Sequence, residues 1–296
     1  MADVSVVVVT YNSIRELERC LASVSGYEVV VVDHGSTDGT VELIRERFPH
    51  VRLIEQENRG FGAGMNAGMR VADGRYFLLL NADAWMLGDA VERLRAFADE
   101  HPEAAVVGPR LLNPDGSLQP SVRGFPTLWR LATEYFFLRK LAPQSRLFNA
   151  FFGAGFDHRS VREAEWLSAA CLLVRREAAD EVGLFDEDFF MFSEEVDWCC
   201  RFRKAGWKVL FFPDAAVTHV FTASYNPALF NEIVRGHLRF LAKHRGAAAA
   251  ERARRLLLVA LRLRGLLFRG EKGAVYRRAA RFLASGRTQQ LLAEGR

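Results

Sequence analysis

The chain of 296 residues is half hydrophobic, and charged residues make up 26% of it. This composition is typical of a globular protein and excludes a disordered or low-complexity chain. The formal net charge of +4 is unevenly distributed, because residues 246–296 hold twelve Lys or Arg against three Glu. We therefore expect a mildly acidic body with a basic tail, and we expect no nucleic-acid partner.

The N-terminus has no basic segment before its first apolar run, so we expect no signal peptide. No apolar run approaches the ~20 residues that span a bilayer. The four cysteines lack the spacing of metal ligands, and we expect them to be reduced thiols of a cytoplasmic protein. They are Cys20, Cys171, Cys199 and Cys200.

The first hundred residues alternate β-branched apolar runs with amphipathic stretches. This alternation predicts a parallel sheet with helices on both faces. Strands are predicted at 4–10, 28–33, 51–56 and 75–81, and helices at 13–24, 37–48, 62–72 and 88–100. In such sheets ligands bind beyond the carboxyl ends of the strands, where Thr10, Asp33 and Asn81 stand.

The middle of the chain has a different pattern. Residues 109–165 are rich in turns and prolines, apart from a predicted aromatic helix at 128–141. A strand is predicted at 165–176, and the acidic helix that follows is expected to stop near Gly206.

The last part of the chain is predicted to be mostly helical. A final strand is predicted at 208–213, with His219 a few residues beyond it. After Asn226 the pattern is helical to the end, with breaks at glycines.

Two segments near the predicted strand ends have both a structural and a functional interpretation. Asp33 ends a strand and precedes a turn, so it either caps that turn or accepts a hydrogen bond from a nucleotide. The glycines of 57–68 either allow close packing of a helix on the sheet or present backbone amides to an anion. Residues 62–67 match G-x-G-x-x-A only weakly, because that fingerprint belongs after the first strand.

The segment LLLNADAW, residues 78–85, ends an apolar run at Asn81 and Asp83. A divalent metal can neutralise the charge of a departing nucleoside diphosphate. Mg²⁺ commonly needs only one or two carboxylates besides phosphate oxygens and water, so Asp83 alone is chemically sufficient. The alternative is that Asp83 caps the following helix.

The densest acidic cluster lies at 186–198 and includes Glu194, Glu195 and Asp197. Acids in the first turn of a helix are favoured by the helix dipole, which is one explanation. The other is that partial burial raises the pKa of one carboxylate and suits it to base catalysis. His219 is either structural or, as a neutral imidazole beside Asp83, a further metal ligand.

Taken in order, these segments resemble the motif series of bacterial family 2 glycosyltransferases over about residues 4–245. The matching segments are VVVTYNS, VVDHGSTDGT, NRGFGAGMNAG, LLLNADA, FFMFSEEVDWCCR and FPDAAVTH. Residues 111–127 and 183–207 look most like the rhamnosyltransferase branch, whose enzymes extend lipid-linked bacterial polysaccharides. The resemblance implies a GT-A fold, with a Rossmann-like, mainly parallel sheet flanked by helices, and inverting transfer from a nucleotide sugar.

The resemblance also implies roles for individual residues. Glu195 stands where the family has its general base, and His34 replaces a common asparagine. Asp83 and His219 are expected to hold Mg²⁺ or Mn²⁺. The nucleotide sugar is expected to contact Thr10, Tyr11, Asn12, Asp33, Asn58, Gly62, Asn66, Asn81 and Ala82, and the sugar or acceptor Trp166, Glu194 and Trp198.

The predicted domains follow from the same series. We expect a catalytic domain over 1–223 and a helical, basic extension over 224–296. Within the domain, residues 1–108 form the nucleotide-sugar-binding half and 109–223 the acceptor-binding half.

The extension places Arg255, Arg262 and Arg269 seven residues apart on one side of a helix, among leucines. Either this helix packs on the catalytic domain with a solvated basic face, or it lies on anionic lipid at the inner face of the cell membrane. Formation of a homo-oligomer through the extension is a further alternative.

The sequence thus predicts a metal-dependent glycosyltransferase that moves L-rhamnose from dTDP-rhamnose to a saccharide or polyprenyl-diphosphate-linked acceptor. One alternative keeps this chemistry with a UDP-hexose or UDP-N-acetylhexosamine donor. Another is a protein that binds nucleotide sugars without catalysis, and a dehydrogenase is the most distant.

Overall fold

The computed structural model describes residues 3–145, 147–149, 151, 153, 155–220 and 227–285. The chain divides into two compact units. Unit 1 comprises Met1–Val122, Asp157–Phe190 and Asp197–Thr222, and unit 2 comprises Arg123–Phe156, Met191–Val196 and Ala223–Arg296. Residues 123–156 and 191–196 thus group with the C-terminal helices, and the boundary between 223 and 224 stays a prediction.

Unit 1 is built on one large sheet. Its strands are β1 (Val4–Thr10), β2 (Glu28–Asp33), β3 (Arg52–Glu55), β4 (Tyr76–Asn81), β5 (Ala84–Met86), β6 (Ala104–Leu112), β7 (Leu118–Gln119), β9 (Arg162–Glu163), β11 (Cys171–Arg175) and β12 (Lys208–His219). Two further short strands are β8 (Val122–Arg123), where the chain passes between the units, and β10 (Trp166–Leu167).

The strand order in the sheet is β3-β2-β1-β4-β11-β6-β12-β5, with β7 beside β6 and β9 beside β12. Strands β1 to β4 are parallel, as the alternation of apolar runs and helices predicts. Strand β11 runs antiparallel to both of its neighbours, so the complete sheet is mixed, while β12 is again parallel to β6.

The helices of unit 1 follow the predicted positions to within a few residues. They are α1 (Ile14–Ala22), α2 (Thr40–Arg47), α3 (Phe61–Val71), α4 (Ala90–Glu100), α6 (Arg176–Val182) and α7 (Glu194–Lys204), whose first three residues belong to unit 2. The core is formed largely by the branched side chains of β1, β2 and β4, such as Val6, Val31 and Leu78, which are fully buried.

Three sequence predictions are corrected in this part of the chain. The strand predicted at 165–176 is two strands, β10 and β11, separated by Ser168–Ala170. The helix predicted at 128–141 ends at Tyr135 and is followed by a 3-10 turn, Leu138–Lys140. Strand β12 extends past Pro213 to His219, because a register shift between Phe212 and Ala216 lets it continue along β6.

Unit 2 is helical in its described residues. Its helices are α5 (Leu128–Tyr135), α8 (Phe230–Arg245), α9 (Ala247–Leu267) and α10 (Gly270–Ala284), with the 3-10 turns Leu138–Lys140 and Pro227–Leu229. Glycine breaks separate α8, α9 and α10, as predicted; Gly246 and Gly270 have φ of 84° and 63°. No helix in the described ranges has the length and apolar character needed to cross a membrane.

Helix α9 packs against α5, α8 and α10. Its Arg264 is buried, and its guanidinium donates to the carbonyl oxygens of Tyr135 at 2.8 Å and Glu134 at 2.6 Å. Since these carbonyls lie at the end of α5, Arg264 caps that helix and joins it to α9.

Candidate active site

The carboxyl ends of β1, β2 and β4 meet at one edge of the sheet in unit 1. Thr10 is paired with Asp33, and Val9 is paired with Asn81. The sheet therefore brings together three of the predicted polar segments, at the edge where parallel sheets bind ligands.

Asp33 organises the loop after β2. Its carboxylate is buried and accepts hydrogen bonds from the backbone of Gly35 at 3.0 Å and Ser36 at 2.8 Å, and from the Ser36 hydroxyl at 2.5 Å. Asn12 joins this loop to the one after β1, because its Oδ1 accepts from Thr37 N at 2.8 Å. The turn-capping interpretation of Asp33 is thus present in the structure, and its contact with a nucleoside stays a prediction.

Two side chains at the end of β1 remain candidates for ligand contact. Tyr11 is 55% exposed, so its ring has a face on which a planar base can stack. The Thr10 hydroxyl is buried and lacks a hydrogen-bond partner, and such groups are rare in folded proteins.

The glycines of the segment 57–68 allow close packing of α3. A Cβ on Gly64 would lie 2.6 Å from the buried ring of His34, and one on Gly68 would collide with Val7. Gly60 has φ of 100° and leaves no room for a side chain beside the Phe190 backbone. The packing interpretation accounts for these three glycines, while Gly62 is buried and Asn58 is exposed.

Asn66 is buried on α3, and its amide group is bonded to the loop after α6. Its Nδ2 donates to Phe185 O at 2.9 Å and to Glu187 Oε1 at 3.0 Å, and its Oδ1 accepts from Phe185 N at 3.0 Å. A nucleotide sugar would have to compete with these three bonds. We therefore correct the predicted ligand contact and infer that Asn66 holds this loop in place.

We expect Asn66→Ala to lower the free energy of unfolding by about 2–3 kcal/mol, because it leaves the buried Phe185 amide and carbonyl without partners. The KM for the donor should be unchanged. Urea denaturation measures the change in stability, and donor kinetics measure the KM. A raised donor KM at unchanged stability would show that Asn66 contacts the ligand.

Asp83, His219 and Asn81 form a compact cluster. His219 Nε2 lies 3.2 Å from Asp83 Oδ1 and 3.2 Å from Asn81 Nδ2, and both Asp83 and His219 are largely buried. The backbone reinforces the cluster, since Val220 N donates to Asp83 O at 3.0 Å. The structure thus brings His219 beside Asp83, although the two are far apart in sequence.

Gln119 on β7 determines which way the His219 ring is oriented and that its Nδ1 is a hydrogen-bond donor. Gln119 Nε2 donates to Asn113 Oδ1 at 3.0 Å, so its Oε1 faces His219 Nδ1 at 2.7 Å. Because Oε1 can only accept, Nδ1 carries the hydrogen of this bond, and Nε2 faces the Asp83 carboxylate and the Asn81 amide. Sequence reasoning missed Gln119, since only the folding of β7 beside β6 brings it to His219.

The cluster fits a divalent cation. His219 Nε2 lies 3.2 Å from the Asp83 carboxylate, and Asn81 Oδ1 is buried without a hydrogen-bond partner. In the described residues there is no group of three or more His, Cys, Asp or Glu side chains that could hold a metal. A metal here would therefore take Asp83, His219 and the Asn81 carbonyl oxygen, with oxygens of the donor and water, which suits Mg²⁺ or Mn²⁺.

The acidic pair Glu194 and Glu195 belongs to unit 2 and follows a strained turn. Phe192 and Ser193 have φ of 68° and 78°, which is costly for residues other than glycine. Helix α8 approaches this turn at Gly236, where a Cβ would lie 2.6 Å from Phe192 O and Ser193 Oγ. The first turn of α7 is therefore held in place by close packing on α8.

Burial dominates the titration of both acids. Burial raises the pKa of Glu195 to about 7, although the backbone N–H groups of Ser193 and Val196 and the charge of Arg123 act in the opposite direction. Burial and the neighbouring charge of Glu195 raise the pKa of Glu194 well above its usual range. One oxygen of each carboxyl, Oε2, is buried without a hydrogen-bond partner.

Arg123 is a further charge near this pair that sequence reasoning missed. Burial lowers the pKa of its guanidinium to about 10, and the charges of Glu195 and Glu134 partly offset that effect. A carboxyl with a pKa near 7 suits general base catalysis at neutral pH.

The two predicted tryptophan contacts differ in exposure. Trp198 is almost fully buried against Phe185 and Phe202, and its indole N–H donates to Gly183 O at 2.8 Å. These are the contacts of a core side chain, so we correct its predicted role to packing. Trp166 is half-buried on β10, and its contact with the acceptor stays a prediction.

The mixed sheet flanked by helices in unit 1 is that of a GT-A glycosyltransferase fold, and comparisons with known proteins identify the family. Residues 5–164 match the family model described as Glycosyl transferase family 2. The chain belongs to this family.

Two relatives align with about two thirds or more of this chain. The chain is 37% identical over 238 residues to the N-acetylglucosaminyl-diphospho-decaprenol L-rhamnosyltransferase of Mycobacterium tuberculosis, covering 74% of this chain and 76% of the relative. It is 24% identical over 215 residues to the low-salt glycan biosynthesis hexosyltransferase Agl10 of Haloferax volcanii, covering 68% and 62%.

Solved structures support the fold class. The match to the S. aureus TarS 1-349 structure covers 98% of this chain and 83% of the TarS chain, with a TM-score of 0.53 and 17% identity. The mannosyltransferase PcManGT from Pyrobaculum calidifontis, in complex with GDP-Man and Mn2+, covers 99% and 84% at the same score and identity. The prediction of a GT-A fold is confirmed.

Proposed function

We propose that this family 2 glycosyltransferase transfers L-rhamnose from dTDP-rhamnose, with inversion, to a saccharide on a polyprenyl-diphosphate lipid of bacterial cell-surface polysaccharide synthesis. The observation that carries the proposal is the cluster of Asp83, His219 and Asn81 at the sheet edge, which fits a divalent cation beside a donor diphosphate. The rhamnosyl donor and the lipid-linked acceptor are supported by the name of the mycobacterial relative, which aligns over three quarters of both chains.

The proposed donor site lies at the carboxyl edge of β1, β2 and β4. Tyr11 stacks on the base, Thr10 and Asn12 line the nucleoside, and the loop that Asp33 holds forms the floor. Asp83, His219 and Asn81 would hold Mg²⁺ or Mn²⁺, which when bound would supply positive charge to the diphosphate.

Glu195 is the proposed general base. Its carboxylate removes the proton from the acceptor hydroxyl while that oxygen forms a bond to the anomeric carbon. The bond from this carbon to the diphosphate oxygen breaks on the opposite face, so the configuration inverts and the nucleoside diphosphate leaves. A pKa of about 7 makes Glu195 largely ionised just above neutral pH and a stronger base than an ordinary glutamate.

The acceptor assignment has consequences for where the enzyme works. A polyprenyl-diphosphate lipid resides in a membrane, so we propose that the chain acts at the inner face of the cell membrane through its C-terminal helices. Self-association through these helices is a separate proposal, which light scattering at increasing protein concentration tests.

A donor panel tests the proposed reaction. We expect sugar transfer from dTDP-rhamnose, in the presence of Mg²⁺ or Mn²⁺, to a short-chain N-acetylglucosaminyl-diphospho-lipid, with much slower transfer from UDP-glucose or UDP-N-acetylglucosamine. Mass spectrometry identifies the product, and NMR of the new anomeric proton reports inversion. Glu195→Gln serves as the inactive control.

The panel also separates the alternatives. Efficient transfer only from a UDP sugar would keep the chemistry and replace the donor. Binding of nucleotide sugars without transfer to any acceptor, together with unchanged cellular function of Glu195→Gln, would favour a non-catalytic binding protein.

A further inference from the structure

The most exposed large apolar side chains of the described residues all belong to unit 2. Leu266 is 82% exposed, Leu141 77%, Leu267 75% and Leu147 61%. Single exposed leucines are common, but two adjacent leucines at the end of a helix expose a continuous apolar surface.

Aromatic contacts join the segment that precedes Leu141 to the segment that contains Leu266 and Leu267. The ring of Phe137, just before the 3-10 turn Leu138–Lys140, lies 5.8 Å from the ring of Phe268. The Arg264 guanidinium lies 3.9 Å from the centre of the Phe137 ring and is fixed by its bonds to α5. The two segments are therefore held together, although some 125 residues separate them in the chain.

Cations surround these leucines. The Lys140 ammonium lies 5.0 Å from the Phe137 ring and the Lys272 ammonium 4.5 Å from the Phe268 ring, and both lysines and Arg269 are exposed. In the segment 266–272 the only acid is Glu271. We call this surface the leucine patch and define it as Lys140, Leu141, Leu266, Leu267, Arg269 and Lys272.

We propose that the leucine patch docks on an anionic lipid bilayer, with the leucines at the boundary of the acyl chains and the cations at lipid phosphates. Exposed apolar side chains among Lys and Arg are typical of surfaces that lie on membranes. Lysine is depleted at protein–protein interfaces, which makes a second protein a poorer match. This proposal rests on the proposed function, in which the acceptor is linked to a membrane lipid.

The patch shares only Arg269 with the basic stripe of Arg255, Arg262 and Arg269 that the sequence suggested. Arg255 of that stripe is paired with Glu251 at 2.7 Å, two turns or more from the leucines. The membrane-facing charge thus comes from the end of α9, the start of α10 and the 3-10 turn after α5.

Cosedimentation of the full chain with vesicles tests the proposal without any sugar donor. We expect binding to vesicles of phosphatidylcholine with phosphatidylglycerol, and weak binding to phosphatidylcholine alone. Because each leucine leaves water on docking, Leu266→Gln with Leu267→Gln should lower the partition coefficient by about tenfold or more. The exposed Val161→Gln, in unit 1, should bind like the parent chain.

Three results would overturn the proposal. One is unchanged vesicle binding by the double variant, and another is an equal loss in Val161→Gln. The third is a concentration-dependent dimer that the double variant abolishes, which would make the patch an interface between copies of this chain. The double variant is also assayed for sugar transfer to a water-soluble acceptor. If that transfer persists, a loss of vesicle binding concerns the patch and not the proposed glycosyltransferase activity.

Discussion

Glu195→Gln is expected to lower kcat for sugar transfer by roughly 10²–10⁴-fold while leaving the donor Kd unchanged. Glutamine keeps the shape of the side chain but cannot take the proton from the acceptor hydroxyl. Single-turnover transfer measures the chemical step, and isothermal titration with the nucleotide sugar measures binding.

Glu194→Gln is the matched control. Glu194 is buried, and burial together with the charge of Glu195 raises its pKa well above the usual range. Because Glu195 is the proposed base, we expect a far smaller loss of kcat for Glu194→Gln than for Glu195→Gln. A large loss in Glu194→Gln and none in Glu195→Gln would move the base to Glu194.

The same pair predicts the pH profile. A general base works in its ionised form, and burial raises the pKa of Glu195 to about 7. The rate should therefore rise with pH through about 7 and then level off, whereas an ordinary glutamate would level off well below pH 6. The apparent pKa belongs to the pair of acids, because the two carboxyls interact.

Asp83→Ala is the second large effect, with an expected loss of about a hundredfold or more in kcat/KM. Asp83 supplies the only carboxylate of the proposed metal cluster, so its removal leaves the ring nitrogen of His219 and the amide oxygen of Asn81. Transfer assays over a range of Mn²⁺ concentrations measure the loss. Electron paramagnetic resonance of Mn²⁺ with the nucleoside diphosphate measures metal binding independently of activity.

Asn81→Ala is the control for this site. Asn81 supplies a neutral oxygen, and phosphate or water can replace it, so we expect a much smaller loss than for Asp83→Ala. Equal, small losses in both variants, with unchanged Mn²⁺ binding, would show that Asp83 has a structural role only.

The sequence determined the first half of the sheet. Runs such as 4–10 and 28–33 are long, apolar and β-branched, and helical periods separate them, so their strand character and parallel order follow from local pattern. The direction of β11 could not be read in this way, because an apolar run buried on both faces looks the same in either direction.

At the candidate site, the sequence located the strand ends and their polar residues, including Asp83. It did not distinguish ligand contacts from packing contacts, as Asn66 and Trp198 illustrate. Both are polar or aromatic residues inside recognisable motifs, yet their hydrogen-bonding groups are bonded to backbone atoms of distant loops. Such bonds depend on where those loops lie after folding.

The sequence by itself therefore determined the family, the fold class and the acids available for chemistry, because local patterns and ordered motifs encode them. Only the tertiary structure decided which distant residues contact or influence one another. Gln119 orients His219, the charge of Arg123 acts on Glu195, and the ring of Phe137 packs near that of Phe268. These pairs are separated by between about 70 and 130 residues in the chain. No local pattern records such contacts, since they arise from packing between elements.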